Sequence, residues 1–281
     1  MTTVSEPELR DVGGPGALGG GRQRTLDLLY LIAVTEFKRT YFGTFLGYLW
    51  TLARPLMLFG VLLAVFTQAF HLGNAVKHYP VFLLLNIVLF GFFQEATGTA
   101  VTSVVAKEGI VRKTQFPRLV IPLSVVLTSL FNLGLNLIVV FVFILAFGVD
   151  PTWTWLLLPV LIAALGVFTI AVSMITSSLF PRFRDVAIIW TVASTALFYA
   201  TPVLYPISAP TVSGDLKSFI ELNPLAPIFE LVHKWIIDPD APGPIAITGT
   251  RLIIPIAIYI ATCVFAVWSF NREAPRIAEA L

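Results

Sequence analysis

Six apolar runs, each long enough to cross a bilayer as a helix, occupy most of this 281-residue chain. A helical span needs roughly 20 predominantly apolar residues to cover the ~30 Å hydrocarbon layer. The runs extend from about Leu49 to Phe70, Tyr79 to Val105, Leu119 to Phe147, Trp153 to Phe180, Val186 to Tyr205 and Leu252 to Phe270. Only 12% of the residues are charged, against about a quarter in a soluble domain. So few charges do not cover the surface of a water-soluble globule, but they do cover the two ends of a bundle whose waist faces lipid. The expected fold class is therefore all-α, an integral membrane protein with six transmembrane helices. Pro55, Pro122, Pro159 and Pro255 fall near span ends or within first turns, where a missing N–H does least harm.

The segments outside the runs complete the expected organisation. Residues 1–23 are rich in Gly and Pro and read as a cytoplasmic tail without fixed structure. An amphipathic helix is expected within 24–45, because Leu26, Tyr30, Ala33, Phe37 and Tyr41 recur at helical spacing while Glu36, Lys38 and Arg39 lie on other sides. Such a helix lies in the membrane surface. The transmembrane domain as a whole covers 24–272, and 273–281 is a second cytoplasmic tail. Between the fifth and sixth spans runs SFIELNPLAPIFELVHKWII. This stretch is too apolar for a free loop and too broken by Pro224 and Pro227 for a span. It predicts two short re-entrant helices dipping into the outer leaflet with Asn223-Pro224 as their turn; an external cap packed on the bundle is the alternative. Backbone at that depth must be buried in protein or line a wet cavity.

Lys and Arg in short loops set orientation. Fourteen of the eighteen fall on the side that carries both termini. Only Lys77, Lys217, Lys234 and Arg251 fall on the other, so both termini are expected in the cytoplasm and the chain in the inner membrane. A lone cysteine, Cys263, and three scattered histidines offer no disulfide or metal cluster. No segment fits G-x-x-x-x-G-K-[ST], so ATP and magnesium, if used, are expected on a partner chain rather than here. Glu95 is the one acidic residue well inside a span. An intramembrane carboxylate is a functional candidate, read either as a gate or as a hydrogen-bonded packing site. Thr128, Asn132 and Asn136 form an i, i+4, i+8 stripe suited to interhelical hydrogen bonds, and Gly166, Ser173 and Ser177 suit close helix packing.

The segments LGYLWTLARPL, FPRLVIP, PRFRD, TPVLYP and ELNPLAPIFELV occur in that order along the chain. Together they resemble the permease subunits of type 2 ABC exporters, in the polysaccharide branch that handles O-antigen, teichoic acid and actinobacterial galactan. The resemblance covers about residues 24–272. It implies a homodimer of six-span subunits with two cytoplasmic ATP-binding cassette subunits, and a lipid-linked glycan passing outward between the halves. Nucleic acid is not an expected partner. In KEGIVRKTQFPRLVIP, the resemblance implies a coupling helix made by Gly109, Ile110, Val111, Arg112, Lys113, Phe116, Pro117 and Arg118. Charge alone reads the same residues as ordinary cytoplasmic anchors. Arg182, Phe183, Arg184 and Asp185 match a second loop that helps seat the ATPase.

If the cargo is a glycan, aromatic faces and hydroxyls along its path would give weak, movable contacts. Phe59, Phe66 and Phe70 on the first span are candidates. On the fifth span, Thr191, Thr195 and Tyr199 recur at i, i+4 and i+8, with Trp190 and Phe198 beside them. Packing against helices or lipid is the competing reading of all of them. Two other function classes stand beside a permease driven by a partner ATPase: a membrane transferase acting on polyprenyl-linked substrates, and an ABC exporter of a drug or simple lipid. A transferase would need acids or histidines converging at one membrane face. An ion-coupled carrier would show internal repeats, and none is evident.

Overall fold

The structure, a computed structural model, describes residues 22–41, 47–69, 76–107, 119–209, 212 and 214–280. Among these residues every regular element is helical. The N-terminal helix α1 (Arg22–Tyr41) leads to α2 (Gly47–Gln68), α3 (Tyr79–Ala106) and α4 (Val120–Ala146). A 3₁₀ turn at Trp153–Leu157 opens α5 (Leu158–Leu179), followed by α6 (Val186–Ala200). Two short helices come next, α7 (Gly214–Glu221) and α8 (Ala226–Val232), the latter running into a π turn at His233–Ile237. The chain ends with α9 (Pro244–Thr248), a 3₁₀ turn at Gly249–Leu252 and α10 (Ile253–Ala280).

Five of these segments are long and apolar enough to cross a membrane: Leu49–Gln68, Tyr79–Ala106, Val120–Ala146, Trp153–Leu179 and Pro244–Glu273. The first four match expected spans within two residues at each end, and the last begins eight residues before its expected start at Leu252. The fifth expected span, Val186 to Tyr205, is shorter than its apolar run: α6 stops at Ala200 after 15 residues. The reason is local. Thr201 precedes Pro202, and a residue before proline is pushed out of the helical region; Thr201 takes an extended conformation, φ −99° and ψ 146°.

The central helix is α3. Its N-terminal half, Tyr79 to Phe93, is buried almost without interruption. Leu, Ile, Val and Phe all round a helix leave no lipid-facing stripe, so such a helix belongs inside a bundle. It packs against α2, α4, α5 and α6. Ring contacts tie the centre together: Phe90 meets Phe198 of α6 at 5.3 Å, and Phe93 meets Phe168 of α5 at 6.0 Å. On α10, Tyr259 stacks on Phe168 at 5.2 Å and donates its hydroxyl to the Ala164 carbonyl of α5 at 2.7 Å. Ser173 and Ser177 of α5 are fully buried, whereas Gly166, the third member of that expected small-residue stripe, has nothing within 4 Å of where a methyl group would stand.

Helix α1 lies along α4. Ala33 is fully buried, Phe37 meets Phe131 edge-on at 5.8 Å, and the Thr128 hydroxyl donates to the Ala33 carbonyl at 3.3 Å. Glu36 pairs with Lys107 at the end of α3, 3.2 Å apart. Leu26, Tyr30 and Leu31 are exposed on other sides.

The stretch between α6 and α10 forms a cap. Asn223 sits at the turn expected between two short helices, and its side chain explains the turn. Its Nδ2 donates to the Ala200 carbonyl at 3.0 Å and the Thr201 hydroxyl at 2.8 Å, while its Oδ1 accepts the Leu225 N–H at 2.9 Å. One amide thus satisfies the last turn of α6 and begins α8. Tyr79 donates to the Leu204 carbonyl at 2.9 Å, Trp155 to the Ile236 carbonyl at 3.1 Å, and Thr154 to the Trp235 carbonyl. Buried Ile220, Leu225, Phe229, Val232 and Ile236 complete the seal against the bundle.

Candidate functional site

On the side of α3 away from α5 the packing opens. Gly91, Glu95, Gly98 and Thr99 are exposed although they lie inside a span whose other faces are buried. Their spacing places them on one helical stripe. The stripe lines a cavity of about 650 Å³, closed on its other sides by Trp50, Thr51, Arg54 and Leu58 of α2 and by Ser129 and Asn136 of α4, with Phe198 of α6 at the edge. That volume lies within the roughly 300–1,000 Å³ common for small-molecule sites.

Glu95 is the chemical centre. Its Oε1 accepts a hydrogen bond from Asn132 Nδ2 at 2.6 Å. Asn132 is itself buried. Asn136, one turn on, donates to the Asn132 backbone carbonyl at 2.9 Å and lines the cavity. The Thr128–Asn132–Asn136 stripe therefore joins α4 to α1 through Thr128 and to α3 through Asn132, while Asn136 stays within its own helix and faces the opening. Glu95 thus has a bonded side and an open side. It is an interhelical hydrogen-bond acceptor, and it still presents its carboxylate to an open space shared with Arg54 and Gln94.

Sequence reasoning passed over Arg54, Gly91, Gly98 and Trp50. The signal was there in spacing: G-x-x-x-E-x-x-G on α3 repeats at helical intervals around the one intramembrane acid. A methyl group added at Gly91 or Gly98 would meet nothing within 4 Å.

The aromatic and hydroxyl candidates divide between two faces. Trp190 and Phe198 turn inward: Trp190 Nε1 donates to the Thr97 hydroxyl at 3.1 Å and its ring meets Phe93 at 6.1 Å. Thr191, Thr195 and Tyr199 are exposed on α6. Both threonine hydroxyls donate to carbonyls one turn back, at 2.8 and 2.9 Å. On α2, Phe59 is buried edge-on against Phe143, with ring centres 6.0 Å apart, and Phe66 is half-buried. Phe70 lies outside the described residues.

Of the loop candidates, Gly109, Ile110, Val111, Arg112, Lys113, Phe116, Pro117 and Arg118 also lie outside the described residues. Arg182, Phe183, Arg184 and Asp185 form an exposed turn between α5 and α6. Arg182 rests over the Phe183 ring at 5.1 Å and reaches Glu273 of α10 at 3.9 Å; Arg184 lies over Phe180 at 5.1 Å. The turn thus presents two guanidinium groups held by rings.

In the cap, three acids have separate partners. Asp238 pairs with Lys77 at 3.5 Å, and Glu221 with Arg251 at 4.0 Å. Glu230 accepts the Ile207 N–H at 2.8 Å. Burial pushes the Glu230 carboxyl up to about 7, against the smaller downward pull of that hydrogen bond. Burial also lowers the neighbouring His233 imidazole to about 4, opposed by the charge of Asp238. The imidazole packs edge-on to Phe82 at 4.9 Å.

Five helices long and apolar enough to cross a membrane, packed with a cavity that Arg54, Gln94, Glu95 and Asn136 help to line, define a multi-pass membrane protein. The chain belongs to the ABC-2 type transporter family, whose model matches residues 27–236. Among curated relatives, it is 29% identical over 241 residues to the O-antigen export system permease protein RfbA of Myxococcus xanthus, covering 85% of this chain and 91% of that one. It is 31% identical over 210 residues to an RfbA permease of Klebsiella pneumoniae, covering 74% and 78%. The polysialic acid transport protein KpsM of Escherichia coli is 23% identical over 226 residues, covering 76% and 81%.

Proposed function

We propose that this chain is the membrane permease subunit of an ATP-driven exporter that carries a lipid-linked polysaccharide from the cytoplasmic to the external side of the inner membrane. The observation that carries this reading is the family match across residues 27–236, together with relatives named for O-antigen and polysialic acid transport. The permease works as a homodimer with two ATP-binding cassette subunits, and ATP and magnesium reside on those partners.

The topology follows from lengths. At 1.5 Å per residue, α6 with its 15 residues spans about 22 Å of a hydrocarbon layer of ~30 Å. Asn86, seven residues into α3 and so roughly 10 Å below its external end, donates to the Pro202 carbonyl at 3.4 Å. The end of α6 therefore sits below the external surface, and the cap fills the remaining depth. We read α6 together with the residues that follow it as the remaining crossing, six in all, and α7 and α8 as a short re-entrant hairpin on the external side that adds none. An even number of crossings puts both termini on one side, and the distribution of Lys and Arg supports reading that side as the cytoplasm, with α1 along its surface.

In this arrangement the turn 182–185 faces the ATPase, and residues 109–113 and 116–118 supply the coupling contact. ATP-driven closure of the two cassettes moves these segments, and the spans follow. The movement does work on the cargo only if the two arrangements bind it with different free energy. Co-expression with the ATPase and a glycan-synthesising background tests the reading. Charge reversal at Arg112 and Lys113 is expected to abolish surface glycan while the protein stays in the membrane, with lipid-linked glycan accumulating inside. Unchanged surface glycan in the reversed variant, or no association of the wild type with any ATP-hydrolysing subunit, overturns it.

A further inference from the structure

The cavity beside α3 has the composition of a head-group site. On α2, Trp50, Arg54, Leu58, Val61 and Val65 recur at intervals of three to four residues, and all five are exposed. They form one stripe with two chemistries. The first half, Trp50, Arg54 and Leu58, lines the cavity; the second half, Val61 and Val65, continues out of it as aliphatic surface. Opposite the first half stand Glu95, Gln94 and Asn136. A guanidinium is suited to bidentate pairing with a phosphate. A carboxylate held in place by Asn132, with two side-chain amides nearby, supplies acceptors and donors for hydroxyls. The aliphatic continuation suits an apolar tail lying along the membrane.

The glycines argue in the same direction. A glycine inside a helix costs about 1 kcal/mol relative to alanine. Neither Gly91 nor Gly98 brings anything within 4 Å of where a methyl group would stand, which is equally true of Gly60, Gly134 and Gly166; what sets these two apart is their place beside Glu95. Both flank Glu95 on the open stripe and leave room in front of its carboxylate.

We propose that this cavity, within one subunit, binds the head of a phosphorylated, hydroxyl-bearing lipid: phosphate at Arg54, the first sugar against Trp50 and hydrogen-bonded to Glu95, the tail along Leu58, Val61 and Val65. Asn132 is the positioning residue that fixes the carboxylate. The choice of a lipid-linked sugar as the occupant rests on the exporter reading; a bilayer phospholipid shares the phosphate-and-hydroxyl chemistry, and the test separates them.

The purified permease in phosphatidylcholine nanodiscs is titrated with three probes: a short polyprenyl phosphate, the same lipid carrying one hexose on its phosphate, and phosphatidylglycerol. The wild type is expected to bind the hexosyl lipid tightest and phosphatidylglycerol weakest. Arg54→Gln weakens both polyprenyl probes by about tenfold or more, in line with the loss of a charged hydrogen bond. Glu95→Gln weakens the hexosyl lipid alone, and Gly98→Leu, which fills the cavity, weakens both polyprenyl probes. Equal binding of phosphatidylglycerol, or variants indistinguishable from the wild type, overturns the site.

A photoreactive hexosyl lipid provides a readout on the unaltered protein: crosslinks in 50–58 and 91–99 support the site, and crosslinks confined elsewhere overturn it. Glycan export by the complex with its ATPase is followed in parallel. Export at the wild-type rate in Gly98→Leu and Arg54→Gln removes the site but leaves the exporter reading intact. A wild-type complex that exports no glycan removes the exporter reading, and the crosslink map still decides the site.

Discussion

Asn132 of α4 donates its side-chain amide to the Glu95 carboxylate of α3 across 2.6 Å, well inside the span of both helices. Interhelical hydrogen bonds in membrane proteins are worth about 0.6–2 kcal/mol. Asn132→Leu removes the donor and leaves a carboxylate without it, so this variant is expected to lose about 1–2 kcal/mol. Glu95→Gln keeps an acceptor and is expected to lose less. Thermal unfolding of the two single variants and the double variant in detergent gives the coupling directly; additive losses would show that the contact is energetically idle.

Asn223 organises the cap with three hydrogen bonds from one side chain, two donated and one accepted. Asn223→Asp keeps the acceptor for the Leu225 N–H and loses both donors. It is expected to destabilise the cap by about 1–3 kcal/mol and to speed proteolysis within 201–243 while the spans stay protected. Asn223→Ala, which also loses the turn-forming acceptor, is expected to be cut faster still. Limited proteolysis with mass-spectrometric mapping reads the order.

Glu230 makes cap stability pH-dependent. Its carboxyl is raised from 4.5 to about 7 in the folded protein. A group with a raised folded pKa contributes stability that is complete below the unfolded value and lost as pH rises through the folded one. The cap is therefore expected to be firmest near pH 4–5 and to weaken progressively towards pH 7, as far as this residue governs it. Glu230→Gln retains an acceptor for the Ile207 N–H and has no proton to lose. Its unfolding temperature is expected to vary less than that of the wild type between pH 5 and pH 8, and to exceed it at pH 8. A wild-type curve as flat as that of the variant would contradict this.

The long elements were legible because hydrocarbon length is a one-dimensional property. Tyr79–Ala106 and Val120–Ala146 are bounded by the same residues in the sequence and in the fold, give or take one or two. The fifth span was over-extended because Val203, Leu204 and Tyr205 are as apolar as the helix before them; the stop at Thr201-Pro202 is a backbone effect that hydropathy does not register. Asn223 was legible as a turn residue through its own chemistry and the proline that follows. The cavity was only half legible. Glu95 stands out as a lone intramembrane acid, but its setting depends on where α2 and α4 lie against α3, and one sequence does not carry that geometry. For the same reason the aromatics of α6 read as one group, although helical rotation sends Trp190 and Phe198 inward and Thr191, Thr195 and Tyr199 outward.

The turn between α5 and α6 separates docking from folding. Arg182 and Glu273 lie 3.9 Å apart with the guanidinium largely exposed, and an exposed pair of this kind contributes about 0–1 kcal/mol. Arg184 adds a ring contact with Phe180 at 5.1 Å, worth roughly 0.5–1 kcal/mol at an exposed site. Neither side chain holds a helix in place, so Arg182→Ala with Arg184→Ala is expected to leave membrane abundance and unfolding temperature close to wild type. If the turn seats the ATPase as proposed, reversal of both charges to Glu weakens co-purification of the partner several-fold, and more strongly at low than at high salt, because exposed charges beyond about 10 Å are screened at 0.1 M. The alanine pair falls between the reversed pair and the wild type. Equal partner recovery from all three proteins would show that the two guanidinium groups contribute nothing to docking, and would leave residues 109–113 and 116–118 to carry the contact.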